Sequence, residues 1–261
     1  MKLIGNEILI TGGTSGIGLA LATNLLEKGN QVVVLGRRQD KLAAVQAQHP
    51  KLLTFQADVG QPESLQPLLT WLPAHLPKLN MVINSAGIMQ PHDLLDPHLT
   101  LTALTADIQI NLMGTIAVDQ LLLPQLLAQE EAMIVNVSSG LAYLSSAPHP
   151  TYSASKAGVH MFTSALREQL AYANKNQVHV LELVPPLVSE TGLQSGDLAS
   201  SFGNMKLADL VEVTLKGMAQ NKPRINAGAA KLLQKMEQIM PNQAEKMIAK
   251  DSLKQFFPEG L

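Results

Sequence analysis

The chain has no cysteine among its 261 residues. That one absence removes disulfides, thiolate metal ligands and a cysteine nucleophile together. Aromatic residues are scarce too, at 3%, so the stacking platforms by which proteins grip single-stranded nucleic acid are not expected. Neither sign of charge dominates: 19 Lys and Arg against 21 Asp and Glu give a formal net charge of −2. Such a chain offers no field for nucleic acid or for an anionic membrane. Long apolar runs are also missing. The hydrophobic stretches have strand length and end in glycine or polar residues, short of a membrane span. Gly5, Asn6 and Glu7 interrupt the start of the chain before the apolar stretch of a signal peptide can form. Histidines occur, but their spacing matches no common ligand pattern, so no metal site is expected. A cytoplasmic protein with no nucleic-acid or membrane partner is the resulting expectation.

What is present is an alternation. Glu7–Ile10, Gln31–Leu35, Leu52–Phe55, Met81–Ile83, Met133–Val137 and Val178–Val184 are short β-branched apolar runs. Most are apolar at successive positions, which fits strands buried on both faces, as in a parallel sheet. Helical patterns lie between them: Ile17–Lys28, Gln39–Gln48, Pro62–Leu72 and Leu99–Leu123. Strand and helix in this order give a doubly wound α/β fold of about seven parallel strands with helices on both faces. No linker or repeat interrupts residues 1–261, so a single domain is expected, long enough for a substantial core. Toward the end, Leu207–Ala219 reads as a helix and Lys222–Asn226 as an edge strand. Ala229–Met240 reads as a further helix, which Pro241 should stop. The amphipathic tail should pack on the domain or on another subunit.

Between the first strand and first helix stands Thr11-Gly12-Gly13-Thr14-Ser15-Gly16-Ile17-Gly18. Glycines let the backbone turn sharply and approach a ligand. The helix start behind them offers unpaired N–H groups and a positive dipole end, suited to a pyrophosphate. The spacing departs from the G-x-G-x-x-G fingerprint of dinucleotide sites, and a plain glycine-rich turn is the alternative. At the end of the second strand, where a carboxylate would select NAD, the chain has Arg37 and Arg38. Guanidinium groups suit a bidentate grip on a 2′-phosphate, so NADP(H) is favoured over NAD(H). Solvated helix-start residues are the bland reading of the same pair.

Tyr152 and Lys156 stand four residues apart at the start of a helical pattern, on one face. A cation held there should lower the phenol pKa from about 10 and suit it to proton transfer near neutrality. Upstream, Ser138-Ser139 follows the fifth strand and Asn84-Ser85-Ala86-Gly87 closes the fourth, both at the rim where open α/β sheets bind ligands.

Taken together with Asp58-Val59 and Asn111, these motifs resemble, in order and approximate spacing, those of the short-chain dehydrogenase/reductases, over about residues 5–192. The resemblance implies a Rossmann-type domain and an NAD(P)(H)-dependent oxidoreductase that moves hydride between a nicotinamide and a carbonyl or secondary alcohol. It implies that Tyr152 is the general acid or base and that Lys156 tunes it and binds the nicotinamide ribose. Ser139, thirteen positions before the tyrosine, would orient the carbonyl, with Ser138 as the alternative. Asn111 would distort its helix and hold a relay water. Gly12, Thr14, Ser15, Gly16, Ile17 and Gly18 would cradle the cofactor, with Arg37, Arg38, Asp58, Val59, Asn84, Ala86, Gly87, Pro185 and Val188 around it. A homodimer or homotetramer through the helices of Asn111 and Tyr152 is also implied.

Three positions depart from the family pattern. Ser85 replaces an asparagine, Pro186 replaces a glycine, and Thr191 lies one residue late, which leaves its role open. The double proline and the first thirteen residues are similar to those of the DltE-like bacterial subgroup. Met89–Pro97, Gly140–Thr151 and Leu187–Asn204 should face the small-molecule substrate, with His92, His98, Tyr143, His149 and Phe202 among their residues. Residues 187–261 should supply substrate loop and C-terminal helices to the same domain. A non-catalytic dinucleotide sensor or scaffold is the alternative on this fold. Retention of both Tyr152 and Lys156 favours the enzyme.

Overall fold

In the computed structural model, which describes residues 1–188, 191 and 204–258, the apolar runs form seven strands. They are β1 (Glu7–Thr11), β2 (Gln31–Gly36), β3 (Leu53–Gln56), β4 (Leu79–Asn84), β5 (Ala132–Val137), β6 (Val178–Val184) and β7 (Arg224–Asn226). All pair in parallel in one sheet of order β3-β2-β1-β4-β5-β6-β7. The expected doubly wound sheet is therefore present.

Helices cover both faces. On one lie α1 (Gly16–Glu27), α2 (Gln39–Gln48) and α7 (Leu207–Ala219); on the other lie α3 (Gln66–His75), α5 (Gly114–Leu127) and α6 (Pro150–Tyr172). Strand residues divide between the two layers by parity. Ile8, Ile10, Val32 and Val34 pack against Leu21, Leu25 and Leu42, while Leu9, Val33 and Leu35 join Leu68, Leu72, Val118 and Leu122. This double burial accounts for the unbroken apolar runs, since neither face of a strand can be polar. Each such side chain contributes roughly 1.5–3 kcal/mol when fully buried.

The segment expected as one helix over Leu99–Leu123 is built differently. It comprises α4 (Leu101–Asp107), a π-helical stretch at Ile108–Met113 and then α5. Joined end to end, Leu101–Leu127 is the one helix among the described residues with the length and apolar composition to cross a membrane. Here it forms a layer of the sandwich: Val118, Leu122 and Leu126 meet the sheet, and Asp107, Asn111 and Asp119 are buried. Pro241 behaves as expected, ending α8 (Ala230–Ile239) and occupying the first turn of α9 (Pro241–Phe256). The tail packs on its own domain, where Leu233 and Ala244 enclose Leu144 with Met236 and Ile248.

The middle of the sheet is tied to α5 through polar groups. Asn84 Nδ2 donates to Asp119 Oδ1 at 2.6 Å and Asn136 Nδ2 donates to Asp119 Oδ2 at 2.8 Å. Burial nevertheless outweighs these hydrogen bonds and raises the Asp119 pKa from 3.8 to about 7. A carboxyl that binds its proton more tightly when folded loses stability as pH rises, between its unfolded and folded pKa values. Urea unfolding of the wild type against Asp119→Asn should therefore show the wild type's relative stability falling from pH 4 to pH 8. The expected loss is up to about 4 kcal/mol; a pH-independent difference would refute the titration of Asp119 in this range.

Candidate active site

The sheet order reverses direction at β1, so the connections after β1 and β4 leave to opposite sides and a crevice opens between their carboxyl ends. It is a cleft of about 750 Å³. Gly12, Thr14, Ser15, Gly16 and Ile17 form its floor, and Arg37, Arg38, Asp58 and Val59 one end. Ala86 and Gly87 lie in the middle, and Ser139, Tyr152, Lys156, Pro185 and Val188 at the other end. Gly18, Asn84 and Asn111 stand behind this lining.

The turn after β1 requires its glycines. Gly12 has φ +65°, and a Cβ there would lie 2.7 Å from Ala86 Cα. At Gly18 a Cβ would lie 2.5 Å from the Gly12 carbonyl oxygen. Thr11 Oγ1 accepts from the N–H groups of Ser85 and Ala86, both at 3.1 Å, locking the ends of β1 and β4 together. Ser15 precedes α1 without capping it through its side chain, so the hydroxyl and the first-turn N–H groups remain available to a ligand. Thr191 closes over this turn, its backbone oxygen near Gly16 and its Oγ1 donating to Val188 O at 3.2 Å. This gives Thr191 a place in the cleft that its spacing alone left open.

Asp58 orders its own loop by accepting from Gly60 N at 3.0 Å through Oδ1. Arg37 and Arg38 are exposed at the end of β2, and neither forms an ion pair among the described residues.

At the other end, the two serines part company. Ser138 Oγ donates to the buried Glu182 Oε1 at 2.6 Å. Ser139 Oγ accepts from Leu141 N at 3.1 Å and lies beside the Tyr152 phenol, whose pKa it lowers. Ser139 is thus the serine the structure brings to the tyrosine. Lys156 Nζ donates to Val137 O at 2.8 Å and stands 5.8 Å from the Tyr152 ring centroid. Asn111 sits within the π-helical stretch, where the helix geometry is indeed distorted. Its amide clamps Ile88, accepting from Ile88 N at 2.8 Å and donating to Ile88 O at 2.9 Å. A further bond runs from Nδ2 to Ser155 Oγ at 3.0 Å.

A model of the short chain dehydrogenases matches residues 6–200. The chain belongs to the short-chain dehydrogenase family. Within it, the chain is 37% identical over 228 residues to the uncharacterized oxidoreductase DltE of Bacillus subtilis, covering 86% of this chain and 89% of that one. It is 32% identical over 225 residues to an uncharacterized oxidoreductase of Staphylococcus aureus N315, covering 85% and 95%. Among solved structures it resembles a short chain dehydrogenase of Burkholderia cenocepacia in complex with NADP, at TM-score 0.80 and 21% identity over 95% of this chain and 99% of that one. A Burkholderia phymatum short chain dehydrogenase/reductase in complex with NAD gives TM-score 0.79 at 21% identity, over 95% and 96%.

In this short-chain dehydrogenase the electrostatics at Tyr152 run opposite to the expectation from its neighbour. Burial pushes the phenol up to about 12, and the Asp107 carboxylate adds to this, against a hydrogen bond from Ser139 that lowers it. Burial also lowers Lys156 to about 8, opposed by Asp107. Desolvation of two enclosed groups exceeds the help that one cation gives a phenolate.

The expected substrate segments are also redistributed. Met89, Gln90, Leu141 and Ser146 line the cleft, but His92 and His149 are buried beneath it. Tyr143 turns away to donate to Asn226 Oδ1 at 2.8 Å, His98 is exposed, and Phe202 lies outside the described residues. Leu233, Ile248 and Ser252 of the C-terminal helices complete the wall; no local motif marked them, because only the fold brings them there. Asn111→Ala should leave both backbone groups of Ile88 unpaired and lower the stability to urea by about 2–4 kcal/mol. A change below about 0.5 kcal/mol would show that the clamp is dispensable.

Proposed function

We propose that this protein is an NADP(H)-dependent carbonyl reductase or alcohol dehydrogenase that uses Tyr152 as its proton-transferring residue. The observation that carries the reading is a single cleft joining the glycine turn at one end to Ser139, Tyr152 and Lys156 at the other. The residues present fit a nicotinamide dinucleotide. The α1 N-terminus and its glycine turn suit the pyrophosphate, Asp58 and Val59 the adenine, and Lys156 the nicotinamide ribose. Arg37 and Arg38, without a carboxylate at the end of β2, favour a ribose that carries a 2′-phosphate. When bound, that cofactor supplies or accepts the hydride.

The protein's own part is orientation and a proton. Ser139 Oγ and the Tyr152 hydroxyl would hold the carbonyl oxygen between them. In reduction the phenol would give its proton to that oxygen as the carbonyl carbon is reduced, and solvent would restore it. A phenol held at about 12 is protonated at neutral pH, the form that reduction needs. Alcohol oxidation needs the phenolate, so it should accelerate as pH rises, while reduction should not. The cleft walls Met89, Leu141, Leu233 and Ile248 favour a substrate with an apolar body.

Two variants test the assignment. With a panel of aldehydes and ketones, Tyr152→Phe should reduce kcat/KM by roughly 10²–10⁴-fold, the usual scale of a lost general acid. Full activity in this variant, or cofactor binding without turnover in the wild type, would favour the sensor reading instead. Separately, the wild type should prefer NADPH to NADH, and Arg37→Asp should raise KM for NADPH about tenfold or more while sparing NADH. Equal losses with both cofactors would remove the 2′-phosphate role of Arg37.

A further inference from the structure

An acid lies in the sheet where an apolar side chain would be simplest. Glu182 stands in β6 among Val180, Leu181, Leu183 and Val184, with no exposed surface. Three other elements converge on it. Ser138 Oγ, just after β5, donates to Glu182 Oε1 at 2.6 Å. His160 Nδ1, from α6, lies 2.9 Å from Oε1 and 3.0 Å from Oε2. Arg224 Nε, from β7, donates to Oε2 at 2.6 Å, and its Nη2 reaches Ser164 Oγ at 3.3 Å. A buried ion pair is weak support for a fold, because apolar side chains of similar volume often serve as well. The acid therefore needs a reason beyond joining the strands.

Its contacts with the serine turn supply that reason. Ser138 stands between two residues that serve the proposed reacting groups. Val137 O accepts from Lys156 Nζ at 2.8 Å, and Ser139 lies beside the Tyr152 phenol. Beyond Ser139 the chain makes a short 3₁₀ turn, Gly140–Ala142, and reaches Tyr143. The Tyr143 ring meets the His160 ring edge-on with 5.3 Å between centroids, and its hydroxyl donates to Asn226 Oδ1 at 2.8 Å. Glu182 thus closes a circuit around the turn: it grips Ser138 directly at one end and Tyr143 through His160 at the other. Inside the circuit, Gly140 N donates to Pro185 O at 2.9 Å and Leu141 N donates to Ser139 Oγ at 3.1 Å. His160 follows Lys156 by one helical turn on the same face of α6.

We propose that Glu182 is a positioning residue: by gripping Ser138, and Tyr143 through His160, it fixes the turn that aims the Ser139 hydroxyl at the reacting carbonyl. Glu182 does not line the cleft and acts only through the turn. Without its grip Ser139 drifts, and a carbonyl held out of line reacts far more slowly. Misplacement by about 1 Å can cost on the order of 10²-fold in rate. The proposal rests on the reading of Ser139 and Tyr152 as the pair that holds the carbonyl, and it adds the group that aligns them.

Two readouts test it, one of them free of cofactor and turnover. In Ser138→Ala, amide hydrogen exchange at Leu141, whose N–H bonds Ser139 Oγ, should quicken about tenfold or more. Amides in the middle of β5 should keep their wild-type rates, which separates a loosened turn from a weakened fold. Glu182→Gln should loosen the turn further, and Ser138→Thr, which keeps the hydroxyl, should restore it. Should Glu182→Gln fail to fold, Ser138→Ala carries the test. In carbonyl reduction, Ser138→Ala should lower kcat about tenfold or more while KM stays within about twofold of wild type. In a Ser139→Ala background the same change should cost nothing further, because the hydroxyl being aimed is gone. Unaltered Leu141 exchange, or equal losses of kcat in the two backgrounds, would overturn the proposal. Quickened exchange in a protein that reduces no carbonyl would uphold the grip on the turn and sink the enzymatic reading instead.

Discussion

Everything at the candidate site depends on β1 and β4 lying side by side although β2 and β3 separate them in the chain. Parallel pairing forces each connection to return over a face of the sheet, and the winding changes side at this junction. The carboxyl ends of β1 and β4 therefore cannot be covered by the same crossover. Thr11 reinforces the junction by serving the two N–H groups that follow β4, and Gly12 allows the backbones to touch. A side chain at Gly12 would push the two strand ends apart. The phosphate turn and the loop carrying Ala86 and Gly87 would then no longer share one cleft. Local turn chemistry and global topology are thus the same constraint seen at two scales.

That constraint explains which features could be read in advance. The two-sided burial of parallel strands leaves a direct trace in Ile8-Leu9-Ile10 and Val32-Val33-Val34, whose neighbours alternate between the two core layers. The glycine turn, the Tyr152–Lys156 spacing and the serine pair are local in sequence, so their joint order is enough to mark the family. Other features arise from contacts between distant segments and leave no local pattern. Leu233 reaches the cleft from α8, and Ile248 and Ser252 from α9, which starts at Pro241. The helix break at Asn111 was implied by family resemblance alone; its cause, the clamp on Ile88 across 23 positions, is tertiary.

The choice between the adjacent serines shows how such contacts decide a local question. Both follow β5 and both are polar, so the sequence left two candidates. Glu182, at the centre of β6, removes one of them. Burial alone would raise its pKa, yet bonds to His160 and Ser138 and the charges of His160 and Arg224 hold it below the usual carboxylate range. Ser138 Oγ is thereby committed to an ionised acceptor, among the stronger hydrogen bonds a hydroxyl can make. Turning it toward a substrate would take one hydrogen bond away from a buried charge. Ser139, with a weaker local bond to Leu141 N, keeps its hydroxyl proton for the Tyr152 side of the cleft.

Glu182 and Asp107 also show two solutions to the cost of burying a carboxyl. Glu182 gathers Ser138, His160 and Arg224 around both oxygens, and the result is a rigid anchor for the ends of β5, β6 and β7. Asp107 has one full hydrogen bond, from Thr151, and its pKa is raised because burial exceeds the relief from Thr151 and His92. A fully satisfied carboxylate spends its field on its own partners. Asp107 keeps more of its field for its surroundings, and it opposes the loss of a proton from the buried Lys156. The same carboxylate raises the Tyr152 phenol, so a single charge favours the protonated form of both groups. A site arranged in this way is held in its protonated form at neutral pH, the form from which a phenol can act as an acid.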